Sequence, residues 1–111
     1  MKNYVQDGDL LTVAAPYEVA AGAGCLVGSI FGVAAHAAAS GADVEIATEG
    51  VFDLKKTSAQ AWTVGARIYW DNTEKECTTT SSTHKLIGVA VKAADNPSST
   101  GRVRLSGAFT L

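Results

Sequence analysis

Helical periodicity is almost absent from this chain, and that narrows the fold more than any other feature. The one alanine-rich stretch, Ala34–Ala39, closes on Ser40-Gly41, below the length at which a helix sustains itself. Elsewhere the sequence breaks into short β-type runs split by Gly, Asn and Asp. The runs are Leu10–Ala14, Cys25–Val27, Ile30–Ala35, Asp43–Thr48, Val51–Leu54, Arg67–Trp70, Glu76–Thr80, Leu86–Lys92, Arg102–Leu105 and Ala108–Leu111. Spacing of this kind predicts an all-β domain: a small sandwich or barrel, jelly-roll-like in character.

Two segments fix which side chains face inward. In Asp43-Val44-Glu45-Ile46 the apolar residues point one way and the acids the other; Arg102-Val103-Arg104-Leu105 repeats the pattern with bases. Period two is the mark of a half-buried strand. Arg67-Ile68-Tyr69-Trp70 alternates likewise, which sends Trp70 into the core, and Trp62 is expected to plug one end of it. Asp71–Lys75 reads as a loop or hairpin tip, and the polar stretch Thr78–Thr83 as an edge strand or a mobile loop.

The chain also repeats itself. Ile30-Phe31-Gly32-Val33-Ala34 matches Leu86-Ile87-Gly88-Val89-Ala90, and Gly41 with Asp43-Val44-Glu45-Ile46 matches Gly101 with Arg102-Val103-Arg104-Leu105. Gly50-Val51-Phe52-Asp53-Leu54 then matches Gly107-Ala108-Phe109-Thr110-Leu111. Three matches in the same order predict a degenerate internal repeat, each half one β unit closing a shared core.

A chain of 111 residues fits a single domain, residues 1–111, with residues 1–8 as an N-terminal arm ahead of the first strand. Tyr4 and Val5 have no obvious place in that core, so the arm is expected to lie along a neighbouring chain or another partner. Charged residues make up 18% of the chain, below the roughly 25% usual for soluble domains, as when a partner or further copies cover part of the surface. Net charge is −2, unevenly spread. Up to Asp53 seven acids stand against Lys2 alone, a net of −6; from Lys55 onward eight bases meet four acids, a net of +4. The charges are either scattered and solvated or form complementary faces, Asp43 and Glu45 against Arg102 and Arg104, that meet in an assembly.

Known chemistries find little purchase. His36 and His84 have no second ligand at a metal-binding spacing and read as rim and solvated residues; Cys25 and Cys77 form no CxxC, and Cys25 reads as a buried thiol. No metal and no cofactor are expected. A phosphate loop needs Gly-Lys-Ser/Thr, and no Gly-Lys pair occurs. Asp43, Glu45 and Glu49 look like the wet face of one strand rather than a catalytic pair. There is no basic field for a nucleic acid, and Gly24–Ala39 is too short and glycine-rich to span a membrane. The chain is therefore not expected to be an enzyme, nor to have a nucleic acid or a membrane as partner.

Taken in order, Met1–Asp9, Leu26-Val27-Gly28 with Phe31–Ala34, Thr48–Leu54, Tyr69-Trp70-Asp71, and Ile87–Ala90 with Val103-Arg104-Leu105 resemble the bacteriophage capsid cement (decoration) family across essentially the whole chain. The shared residues are structural glycines and apolar strands. Members of that family are often labelled as phage recombinases, a label the missing phosphate loop argues against here. The resemblance implies a structural virion protein, made in the host cytoplasm, that binds the major capsid protein on the outside of the head and stabilises the shell. It would act as a homo-oligomer, a trimer ahead of a dimer. The alternative is a carbohydrate-binding β-sandwich module on a phage head or tail, which would expose Tyr69, Trp62 or Trp70 on one face.

Overall fold

The computed structural model describes residues 10–106. Its nine strands are β1 (Leu10–Ala14), β2 (Gly24–Val27), β3 (Ile30–Ala34), β4 (Asp43–Ala47), β5 (Glu49–Lys55), β6 (Arg67–Asp71), β7 (Glu76–Thr78), β8 (Lys85–Ala90) and β9 (Thr100–Ser106). The expectation of an all-β domain is borne out. The strands form two antiparallel sheets, ordered β1-β4-β3-β2 and β5-β9-β8-β6-β7. In the first, three successive strands lie side by side and β1 returns beside the last, a Greek-key order; the second has the same order with β7 added at the edge beyond β6.

The internal repeat is real, and it is larger than the sequence matches suggested. With β7 set aside, β1, β2, β3 and β4 correspond to β5, β6, β8 and β9, in the same spatial order. Gly24 pairs with Val33 as Arg67 pairs with Val89. The turns before β2 and β6 also agree. Ala23 donates to the Ala20 carbonyl and Ala66 to the Thr63 carbonyl, with Gly22 (φ 82°) and Gly65 (φ 89°) third in their turns. That position requires positive φ, which glycine supplies without steric cost.

Two details of the repeat are corrected. Gly50–Leu54 lies in β5 and opens the second half rather than closing the first, while its partner Gly107–Leu111 lies outside the described residues. The β4/β9 match is also displaced. Ala34 pairs with Ile46 and Ala90 with Val103, so Ile46 corresponds to Val103 and Val44 to Gly101. A slip of two residues keeps every side chain on its face, which is why the alternation survived it.

Each half carries a core. In the first sheet Cys25, Ala34, Val44 and Ile46 pack with Ala15 and Val19 of the connecting segment. The larger cluster holds Leu54, Trp62, Ile68, Trp70, Cys77, Ile87, Ala90, Val103 and Leu105, joined by Phe31 and Val33 from the back of the first sheet. Phe31 and Trp70 meet with ring centroids 5.0 Å apart, tilted by 52°, in the range favoured by aromatic quadrupoles. The second sheet also curls. Past β5, Lys56 forms a parallel bridge with Cys77 of β7, and the Thr57 amide donates to the Cys77 carbonyl at 2.9 Å. This contact brings the edge strand β7 round to the chain leaving β5, a partial barrel filled by the two tryptophans.

Candidate interaction surface

The alternating strands place the predicted surface residues as their pattern required. Val44 and Ile46, like Val103 and Leu105, are buried, leaving Asp43 and Glu45 exposed on β4 and Arg102 and Arg104 exposed on β9. The acids and the bases lie on different sheets. Arg102 has a partner in its own sheet: it pairs in register with Asp53 of β5, donating from Nε at 2.9 Å and from a terminal nitrogen at 3.3 Å. This forked contact holds the Asp53 carboxyl below its usual range and raises the Arg102 guanidinium. Arg104 lies between Val51 and Val89 across the strands and makes no ion pair among the described residues. Tyr4, Val5 and the arm of residues 1–8 lie outside the described residues. Glu49 is not on the strand of Asp43 and Glu45; the chain changes sheets at Thr48, and Glu49 begins β5.

Trp62 and Trp70 are each 2% exposed and Tyr69 is half-buried, so neither indole offers the open platform a carbohydrate module needs. The indole N–H of Trp70 donates to Asn72 Oδ1 at 3.1 Å, and that of Trp62 points at Gln60 Oε1, 3.5 Å away. Both cysteines are buried and free. Burial pushes the Cys77 thiol up to about 12 and raises Cys25 as well. His36 is exposed as expected. His84 is not fully solvated; it sits half-buried with Nε2 3.9 Å from Asp71 Oδ2, because the loop after β7 folds back onto the end of β6. Among the described residues, no three His, Cys, Asp or Glu side chains gather as a metal site would require.

Two features escaped the sequence reading. The first is Lys56, 2% exposed, whose ammonium donates to the carbonyls of Thr57 (2.8 Å), Ser98 (3.3 Å) and Ser58 (3.4 Å) and lies 5.9 Å from the Trp62 ring. Three donors meet three acceptors, so the buried charge is satisfied, and burial lowers its pKa. Continuing the alternation of Phe52 and Leu54 by one step would have pointed Lys56 inward. The second is a cleft of about 590 Å³ between the halves, lined by Tyr17, Glu18, Leu54, Lys55, Trp70 and Lys75 among others. Lys75 Nζ lies 4.0 Å from the Tyr17 ring there. It is built by residues far apart in sequence, so no local pattern marks it.

Among the described residues, nothing in this arrangement assembles a nucleophile, a base and an anion-stabilising site. What it presents is two matched β units with charged outer faces. A phage cement protein family model matches residues 5–105, nearly the whole chain. The chain belongs to the phage cement protein family. No curated protein and no solved structure gave a significant match. Membership points to a structural role in the virion and to a protein that is not an enzyme.

Proposed function

We propose that this protein binds the outside of the phage head and stabilises the shell of the major capsid protein, acting as a homo-oligomer with a trimer favoured. The supporting observation is the family match over residues 5–105. The fold fits the role: stability comes from two buried cores, and the low charge density leaves surface that a shell can cover. In this reading the protein is made in the host cytoplasm and joins the virion exterior, needs no cofactor, catalyses nothing, and contacts neither nucleic acid nor membrane. Asp43, Glu45 and Arg104 are the charged positions proposed to meet a partner, together with Tyr4 and Val5 of the arm. Arg102 takes part only if its contact with Asp53 opens.

Purified protein mixed with expanded heads lacking it should sediment with the shells to a saturating ratio. Decorated shells should then withstand heat or chaotrope that opens bare ones. Failure to bind expanded heads, or binding without any gain in shell resistance, would overturn the proposal.

A further inference from the structure

A unit that packs on its own twin through two different faces leaves one copy of each face unused. In this chain the contributing face is the back of β2 and β3. The cross-strand pairs Leu26/Phe31 and Gly24/Val33 lie on it, and Phe31 rests against Trp70. The approach is close enough that a Cβ on Gly24 would stand 2.6 Å from Trp70 Cη2 and 2.9 Å from Phe31 Cζ. The receiving face is the end of β6, where Trp70 closes the second core.

Both faces have counterparts with nothing of this kind against them among the described residues. On the second sheet Leu26/Phe31 corresponds to Tyr69/Leu86, and Gly24/Val33 to Arg67/Val89. A bulge in β8 preserves this match. Ile87 is stepped over in the pairing and buried, which brings Leu86 opposite Tyr69. Tyr69, Leu86 and Val89 are half-buried, and Val51, two strands away on the row through Arg104 and Val89, is 53% exposed. On the first sheet the counterpart of Trp70 is Val27. It pairs with Ile30, itself 37% exposed, and Leu11 lies half-buried against the same core.

We propose that the Tyr69/Leu86/Val89 face of one copy docks on the Val27/Ile30/Leu11 face of a second copy, repeating between chains the contact that joins the halves within one. This deepens the self-association proposed above and rests on that part of it, not on capsid binding. Size complementarity supports the pairing: inside the chain glycine faces tryptophan, and between chains the larger Arg67 and Tyr69 would face the smaller Val27. In this proposal each copy uses its two different faces on two different neighbours, a head-to-tail contact, and the smallest closed ring this makes has three copies.

Light scattering on the purified full chain tests this. Wild type is expected at the mass of three or more chains of 11.4 kDa. Val89→Glu and Ile30→Glu each remove one face and should each give a single-chain mass with an unchanged circular dichroism spectrum. Mixed together they retain one intact face apiece and should form a two-chain species that grows no further. If Val89→Glu loses its β spectrum, Tyr69→Ser on the same face takes its place. A single-chain mass for wild type up to near-millimolar concentration overturns the proposal. So does a folded variant that keeps the wild-type mass, or a mixture that stays single-chain. Rings that form but do not sediment with shells support this contact while overturning capsid binding.

Discussion

The two halves solve one packing problem in opposite ways, and exchanging the solutions tests the repeat. In the first half Val19 covers the core, bridged to Ala38, and Val44 lies beneath on β4. In the second, Trp62 is bridged to Ala94 and the place of Val44 is taken by Gly101. A Cβ at Gly101 would overlap three atoms of the Trp62 ring, the farthest at 2.7 Å. Gly101→Val alone overpacks the site and should cost ~1–3 kcal/mol. Trp62→Val alone removes most of a buried indole and leaves a void, a loss of about 3 kcal/mol. If the substitutions were independent, the double variant would lose roughly 5 kcal/mol, a large fraction of the 5–15 kcal/mol typical of a domain. We expect it to lose less, because the valine at 101 occupies space the indole vacated. A coupling of at least ~1.5 kcal/mol should appear in a double-mutant cycle. Urea unfolding followed by circular dichroism is the assay, since removing Trp62 alters fluorescence. A coupling within ~0.5 kcal/mol of zero would show that the two positions do not share a site and that the correspondence of Val19/Val44 with Trp62/Gly101 is wrong.

Other outcomes follow from single groups. The Cys77 thiol ionises near 9 when unfolded and at about 12 when folded, so stability should fall as pH rises from 9 toward 12, by up to about 1.4 kcal/mol per unit. Urea titrations at pH 8 and 10 should show that loss, and Cys77→Ala should largely abolish it. Lys56 works the other way: its folded pKa lies below its ordinary 10.5, so the cost of the buried charge is full below the folded pKa and relieved as pH rises through it. Lys56→Met should therefore lack an alkaline gain that wild type has, and an identical pH slope in both would refute the burial argument. Deleting residues 1–6 should weaken capsid sedimentation or self-association, and unchanged binding in both assays would remove the arm from the proposal. Asp43 and Glu45 lie on the opposite side of β4 from the Leu11 and Ile30 face. If the charged faces meet instead of the apolar ones, Asp43→Lys with Glu45→Lys should weaken assembly and Arg104→Glu should restore it; no rescue would mean the charged faces do not meet. Arg102 is left intact in that test because reversing it would set two acids across a strand pair.

The alternation of β4 and β9 was legible because each strand has one wet face, and period two then names the buried residues directly. Trp70 was legible for the same reason, whereas Trp62, which lies in no strand, was legible only as a large apolar ring in a small domain. The extent of the repeat was not. The turns of Gly22 and Gly65 correspond in their hydrogen bonds, but Ala20-Ala21-Gly22-Ala23 and Thr63-Val64-Gly65-Ala66 share only a glycine and an alanine. The displaced match at β4 and β9 has a similar cause. Sequence similarity aligned Val44 with Val103, while Trp62 required a residue without a side chain in Val44's place. The cleft, Lys56 and His84 depend on loops returning from distant strands, and that is tertiary information no short window holds.

The halves have not diverged evenly, and the direction of the divergence bears on how the protein is used. The second half has gained β7, the bridge from Lys56 to Cys77, a caged ammonium and two buried indoles. Its core is large and its sheet edge is covered. The first half keeps four strands and a core of alanine, valine, isoleucine and cysteine, with Leu11, Val13 and Val27 only partly covered. On β2 the Tyr17 hydroxyl donates to the Gly24 carbonyl and accepts from the Leu26 amide, a single side chain serving an edge that β7 serves in the other half. Small aliphatic cores contribute less apolar area, so the first half should be the first to open under stress. A partner seated on Val27 and Ile30 would supply the area this half lacks, while the second half holds the fold together without help. Burial against a neighbour would then stabilise the weaker unit by mass action, tying the integrity of each chain to its place in the assembly.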